Sequence, residues 1–203
     1  MNYSLIRIII AIVLVTLFVF IKRKTFRFTL KKVIFLVVGI VATYYTLMFV
    51  RFENIFMSFP SAESVWRYEN IGEEIKMVIE GEDSSLVIYT QENNISYEVY
   101  PKTADGWKLN TILFEKTQFK IIGNPVKCVV ALCKTQNSKE CFIIIRKYAP
   151  YVISDNIGSE FKRIDLIPQD TFIDYISEYT IVPVTAQQYE LTVGDEKTVL
   201  DIQ

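Results

Sequence analysis

The chemistry open to this chain is bounded first by a residue it lacks. No histidine occurs among its 203 residues. That excludes Ser-His-Asp and Cys-His catalysis and removes the commonest zinc and copper ligand. Four and then seven residues separate Cys128, Cys133 and Cys141, spacings that match neither a zinc knuckle nor a redox pair. Glycine is sparse, and neither a phosphate-cradling loop nor a dinucleotide fingerprint is present. Ser159-Glu160-Phe161-Lys162 fits a Ser-x-x-Lys nucleophile–base spacing, but its companion motifs are missing and chance accounts for it. Glu80, Glu82 and Asp83 offer hard oxygen ligands for calcium, yet they lack a spaced calcium loop and read better as a solvated hairpin tip. Asp165, Asp170, Asp174 and Glu178 are spaced like one acidic face, again a solvated one. Two carboxylates alone can hydrolyse a glycoside, but 22 acids in residues 60–203 nominate no pair. The sequence therefore names no catalytic residue, no cofactor-binding residue and no metal ligand, and no cofactor is expected.

One covalent pairing is open. If Gln136-Asn137-Ser138 closes a three-residue hairpin, positions whose numbers sum to 274 lie opposite, and Cys133 faces Cys141. Such a pair can come within disulfide range outside the cytoplasm. Three free, buried thiols are the equal alternative, because register shifts easily by one. Cys128 stays unpaired in either case.

Short apolar runs broken by turn clusters must position whatever these residues do. From Glu74 onward the runs are 75–80, 86–90, 95–100, 107–114, 119–122, 126–133, 141–148, 189–193 and 197–202. Asp105-Gly106 and Gly194-Asp195 are hairpin signals. Residues 170–179 suit a helix by spacing and a strand by composition, and are assigned to a strand. Before the strands, Ser61 is a helix N-cap, with Glu63 in the first turn and Gly72 as the stop. Residues 60–203 thus predict a mainly antiparallel all-β domain, a sandwich or open barrel, with one short helix.

Residues 1–59 read differently. Leu5–Ile21 and Val33–Val50 are apolar runs of 17 and 18 residues, of which the first holds one charge, Arg7. Both predict spanning helices, making a transmembrane α-hairpin anchor. The Lys-Arg-Lys that follows the first run argues against a cleaved signal peptide. Lys22, Arg23, Lys24, Arg27, Lys31 and Lys32 place the connecting loop in the cytoplasm, with both termini and the β-domain outside the plasma membrane. Charge divides the same way. Residues 1–59 carry 8 Lys/Arg against 1 acid, and residues 60–203 carry 14 against 22. The acidic domain is no nucleic-acid binder, so the expected partners are the lipid bilayer and a protein of the membrane or envelope.

The blocks Phe59-Pro60-Ser61-Ala62-Glu63-Ser64-Val65-Trp66-Arg67-Tyr68, Val78-Ile79-Glu80-Gly81-Glu82-Asp83, Tyr100-Pro101-Lys102, Gly106-Trp107-Lys108-Leu109 and Tyr189-Glu190-Leu191-Thr192-Val193 carry a resemblance. They are similar to a group of small membrane-anchored proteins of Gram-positive bacteria with an extracytoplasmic β-domain. The resemblance implies a compartment and an architecture, and no active site. The functional expectation is a non-catalytic membrane-anchored surface domain that binds, assists or senses at the cell envelope. A carboxylate-dependent envelope hydrolase and a small subunit of a membrane transport complex are the alternatives.

Overall fold

The computed structural model describes residues 9, 12–16, 18, 34, 37–43 and 45, and then 51–202 except 52, 71–72, 92–93, 111–114, 136–137, 166–174 and 185–187. The transmembrane hairpin expected for 1–59 requires correction. Among the described residues, no helix is long and apolar enough to cross a membrane. The plasma-membrane topology falls with it, since the cation count orients spanning helices and supplies none. Lys22–Lys32 itself lies outside the described residues.

The all-β character of the rest stands. Among the described residues twelve strands form three sheets, and every pairing is antiparallel. Sheet 1 has the order β1(Glu74–Glu80), β2(Ser84–Gln91), β3(Asn94–Thr103), β4(Gly106–Trp107). Sheet 2 runs β5(Glu115–Ile122), β6(Cys128–Thr135), β7(Glu140–Tyr148), β10(Tyr175–Pro183), β9(Lys162–Ile164). Sheet 3 is β12(Glu196–Leu200), β11(Tyr189–Val193), β8(Ile153–Asp155). Of the ambiguous segment, 175–179 is strand and 170–174 lies outside the described residues.

Sheet 2 is the middle layer, which explains its sequence. Cys128, Val130, Leu132, Cys141, Ile143 and Ile145 point toward sheet 3, where Leu191, Val193 and Leu200 meet them. Ala131, Cys133, Phe142 and Ile144 point the other way, onto Leu86, Ile88 and Val99 of sheet 1. A strand covered on both faces has no polar side to alternate, so β6 and β7 read as unbroken apolar runs.

The outer face of sheet 1 carries the helix Ala62–Glu69. Ser61 is its N-cap, and Ser61 and Ser64 form a reciprocal capping box. The helix ends at Asn70, and Gly72 lies outside the described residues. Val65 and Trp66 bury against Val87, Tyr100, Trp107 and Leu109. A bulge between Ile75 and Met77 puts Ile75 on this face while Met77 and Ile79 stay on the other. Gly106, at φ 121°, lets Phe59 pair with Trp107, because a Cβ there would lie 2.7 Å from the Phe59 carbonyl oxygen.

Candidate functional site

The register decides the cysteines. Cys133 pairs with Phe142, so opposing positions sum to 275 and not 274. That one-residue slip sends Cys133 and Cys141 to opposite faces of sheet 2, and the expected disulfide is corrected to free thiols. Burial pushes the Cys128 thiol up to about 11 and the Cys141 thiol up to about 12, which leaves both inert as nucleophiles near neutral pH.

The Ser-x-x-Lys spacing does not become a nucleophile–base pair. Ser159 sits in a loop and Lys162 is exposed on β9, opposite Tyr179, where no helical turn brings them together. The base beside Ser159 is Asp155. Burial raises that carboxyl, but donors from Ser159 and the Tyr189 hydroxyl, 2.8 Å away, outweigh it and hold the group below the ordinary range. A carboxylate so stabilised takes protons poorly. Of the acidic face, Glu178 pairs with Lys147 at 2.9 Å and Asp165 lies 3.7 Å from Arg163, while Asp170 and Asp174 fall outside the described residues.

Glu80, Glu82 and Asp83 do not converge on a cation position. Asp83 accepts from the Lys139 N–H at 2.8 Å and the Ser138 hydroxyl at 3.0 Å. In return, the half-turn 82–84 directs three backbone N–H groups at the buried Glu140 carboxylate, at 3.0, 3.1 and 2.9 Å. The Ser84 hydroxyl adds a fourth donor at 2.8 Å. Gly81 has no Cβ because one would fall onto that carboxylate. The arrangement is an anion nest filled by the protein's own side chain, a clasp binding the β1–β2 turn of sheet 1 to the β6–β7 turn of sheet 2.

A second group of carboxylates has no such complement of donors. Glu69 ends the helix, Glu73 follows it, and Glu98 stands on the helix-facing side of β3 beside Tyr100. Arg51 reaches in from the preceding segment, pairing with Glu69 at 2.9 Å while its Nε donates to the Asn110 carbonyl at 2.8 Å. The Arg51 and Glu69 side chains are 8% and 7% exposed. Asn70 approaches Glu98 only at 3.5 Å. The Tyr100 hydroxyl faces the carboxylates of Glu98 and Glu69, and with burial this lifts the phenol above its usual range. Glu98 is raised as well: burial is the main cause and the charge of Glu73 adds to it, against Tyr100, Arg51 and Asn70. Among the described residues, Glu73 Oε2 and Trp66 Nε1 are buried without a hydrogen-bond partner.

Sequence reasoning missed this seam. Glu98 alternates with Tyr97 and Val99, a pattern that reads as strand with one wet face. The signal lay in Tyr100 on the same side as Glu98, and in a helix whose Val65 and Trp66 needed a sheet to cover.

A third feature lies at the end of sheet 2. β5 pairs only with β6 among the described strands, and Gln118, Phe119, Lys120 and Ile121 are all exposed. Phe119 and Ile121 share the face that sheet 1 covers further in, and sheet 1 stops at Tyr97, 6.3 Å from the Phe119 ring. Lys120 turns aside to the Val199 carbonyl. No family model, no curated protein and no solved structure matches this chain.

Proposed function

We propose that the chain is a non-catalytic binding module whose partner is a protein segment added as an extra strand along β5. One observation carries the reading: a sheet edge with no second neighbour among the described residues, on which Phe119 and Ile121 are 64% and 66% exposed. Unpaired edge N–H and C=O groups supply a partner strand with hydrogen bonds, and the ledge of Tyr97, Phe119 and Ile121 supplies a place for its apolar side chains. Many edge strands are guarded by a lysine, but Lys120 is drawn toward sheet 3 instead. The fitting partner is an extended segment with apolar residues at alternate positions.

Selection from a displayed library of extended peptides tests this. Selected peptides should protect β5 amides from hydrogen exchange, and Ile121→Lys should weaken them by about 2 kcal/mol. Selected peptides that bind equally well to the Ile121→Lys protein, or that leave β5 unprotected, would contradict it.

A second reading, a hydrolase working through carboxylates alone, is favoured by the raised Glu98 proton beside Glu69 and Glu73. There Glu98 acts as the acid, and Glu69, held by Arg51, is the second carboxylate. Turnover of polysaccharide or peptidoglycan that disappears in Glu98→Gln would establish it over the binding module. The helix lying across these groups speaks for the first reading.

A further inference from the structure

The helix Ala62–Glu69 is fixed to sheet 1 by apolar contacts at its start and by charged groups at its end. Ala62, Val65 and Trp66 are buried in its first five residues. Its last turn carries Glu69, paired with Arg51, and lies over Glu98, whose ionised form the charge of Glu73 opposes and that of Arg51 favours. The helix dipole also places partial negative charge there. The remaining ionisable groups nearby are occupied elsewhere. Glu63 and Arg67 pair on the exposed side of the helix, Lys76 pairs with Glu74, and Lys108 donates to the Asn54 and Met57 carbonyls. β2 contributes Val87 and Tyr89, β1 contributes Ile75 and Val78, and β3 contributes Glu98 and Tyr100. Arg51 is therefore the one cation placed against these carboxylates among the described residues.

We propose that this seam is an acid-tightened latch. A protonated Glu98 lets the last helical turn seat on sheet 1, and its ionisation adds a charge that Glu73 opposes and that Arg51, already paired with Glu69, must share, which releases that turn. The geometry requires the response to be local. Arg51 also holds the Asn110 carbonyl, and Asn54 exchanges hydrogen bonds with Leu109 at 2.8 Å in both directions, so the segment preceding the helix stays attached. The capping box and the buried Trp66 hold the first turn. What moves is the last turn, Arg67 to Asn70, which carries Glu69 and lies over Glu98. The latch and the β5 edge use opposite faces of β3: Glu98 and Tyr100 face the helix, and Tyr97 faces Phe119.

Hydrogen exchange of the full-length protein between pH 5 and pH 8, corrected for intrinsic exchange, reads the latch directly. Protection of the amides of Arg67–Asn70 should fall several-fold over that range, while β6 and β7 amides keep theirs. Glu98→Gln should abolish the fall. If that variant does not fold, Glu73→Gln should shrink it, because Glu73 is part of the repulsion. Protection that does not change with pH in the wild type, or the same fall in whichever of the two variants folds, would overturn the proposal.

Discussion

The clasp at 81–84 and 138–140 and the seam under the helix both draw carboxylates out of water, yet they are built in opposite ways. At the clasp, donors outnumber acceptors. Glu140 receives three backbone N–H groups and a hydroxyl, and Asp83 receives one of each. At the seam, Glu98 has one amide at 3.5 Å, a nearby Tyr100 phenol whose hydroxyl makes no hydrogen bond among the described residues, and the charge of Arg51. The lesson is that burial alone does not set the behaviour of a buried acid; the donors delivered with it do.

The largest effect is expected at the clasp. Glu140→Ala removes the acceptor of three backbone N–H groups, that of Ser84 buried, and of the buried Ser84 hydroxyl, and should lower stability by about 3 kcal/mol, read as a fall in the urea midpoint at pH 7. A loss no larger than that of an ordinary surface substitution would erase the contrast between the two regions.

The next effect is one of sign. Hydrogen bonds from Lys139 and Ser138 overcome burial and lower Asp83, so its stabilisation is present above pH 3.8 and is lost as pH falls through its folded value. Glu98 is raised, so its stabilisation is complete below pH 4.5 and is lost as pH rises through its folded value. Asp83→Asn should therefore flatten the acid limb of the stability profile. Glu98→Gln should flatten the rising-pH limb and stabilise the protein near neutrality. Equilibrium unfolding across pH checks both, and limbs that respond to the wrong variant would contradict the assignment.

The smallest effect belongs to the helix start. Ser61→Ala removes one half of the capping box and should cost about 1 kcal/mol with little dependence on pH. A strongly pH-dependent loss would mean that the two ends of the helix are coupled, which the latch does not allow.

Much of the β-domain was legible because hairpins are local. The turn signals placed β1 to β3, the β6–β7 pair and the β11–β12 pair within a few residues, and the Ser61 cap fixed the helix start. The short strands β8 and β9 were missed because three residues carry no period. The middle sheet shows why layer order was harder: apolar runs such as Cys141–Ile145 reveal burial on both faces but not what covers them. Between the two readings of Cys133 and Cys141, bridge or free thiols, a single step of register decides, and no local residue announces that step. The expectation for residues 1–59 rested on the length and apolarity of two runs and on the cations between them, and among the described residues no helix is long and apolar enough to bear it out. Glu98, Glu69, Glu73 and Arg51 come from three separate segments, and nothing in their local spacing announces that a helix will bring them together.

The central claim is that Glu98 and Asp83 are displaced in opposite directions by the donors each one meets. Carbon-detected NMR titration of the carboxyl groups in the full-length protein measures both at once. The account predicts that Asp83 titrates below 3.8 and Glu98 above 4.5. A Glu98 midpoint at or below 4.5 would contradict it, and with it the latch.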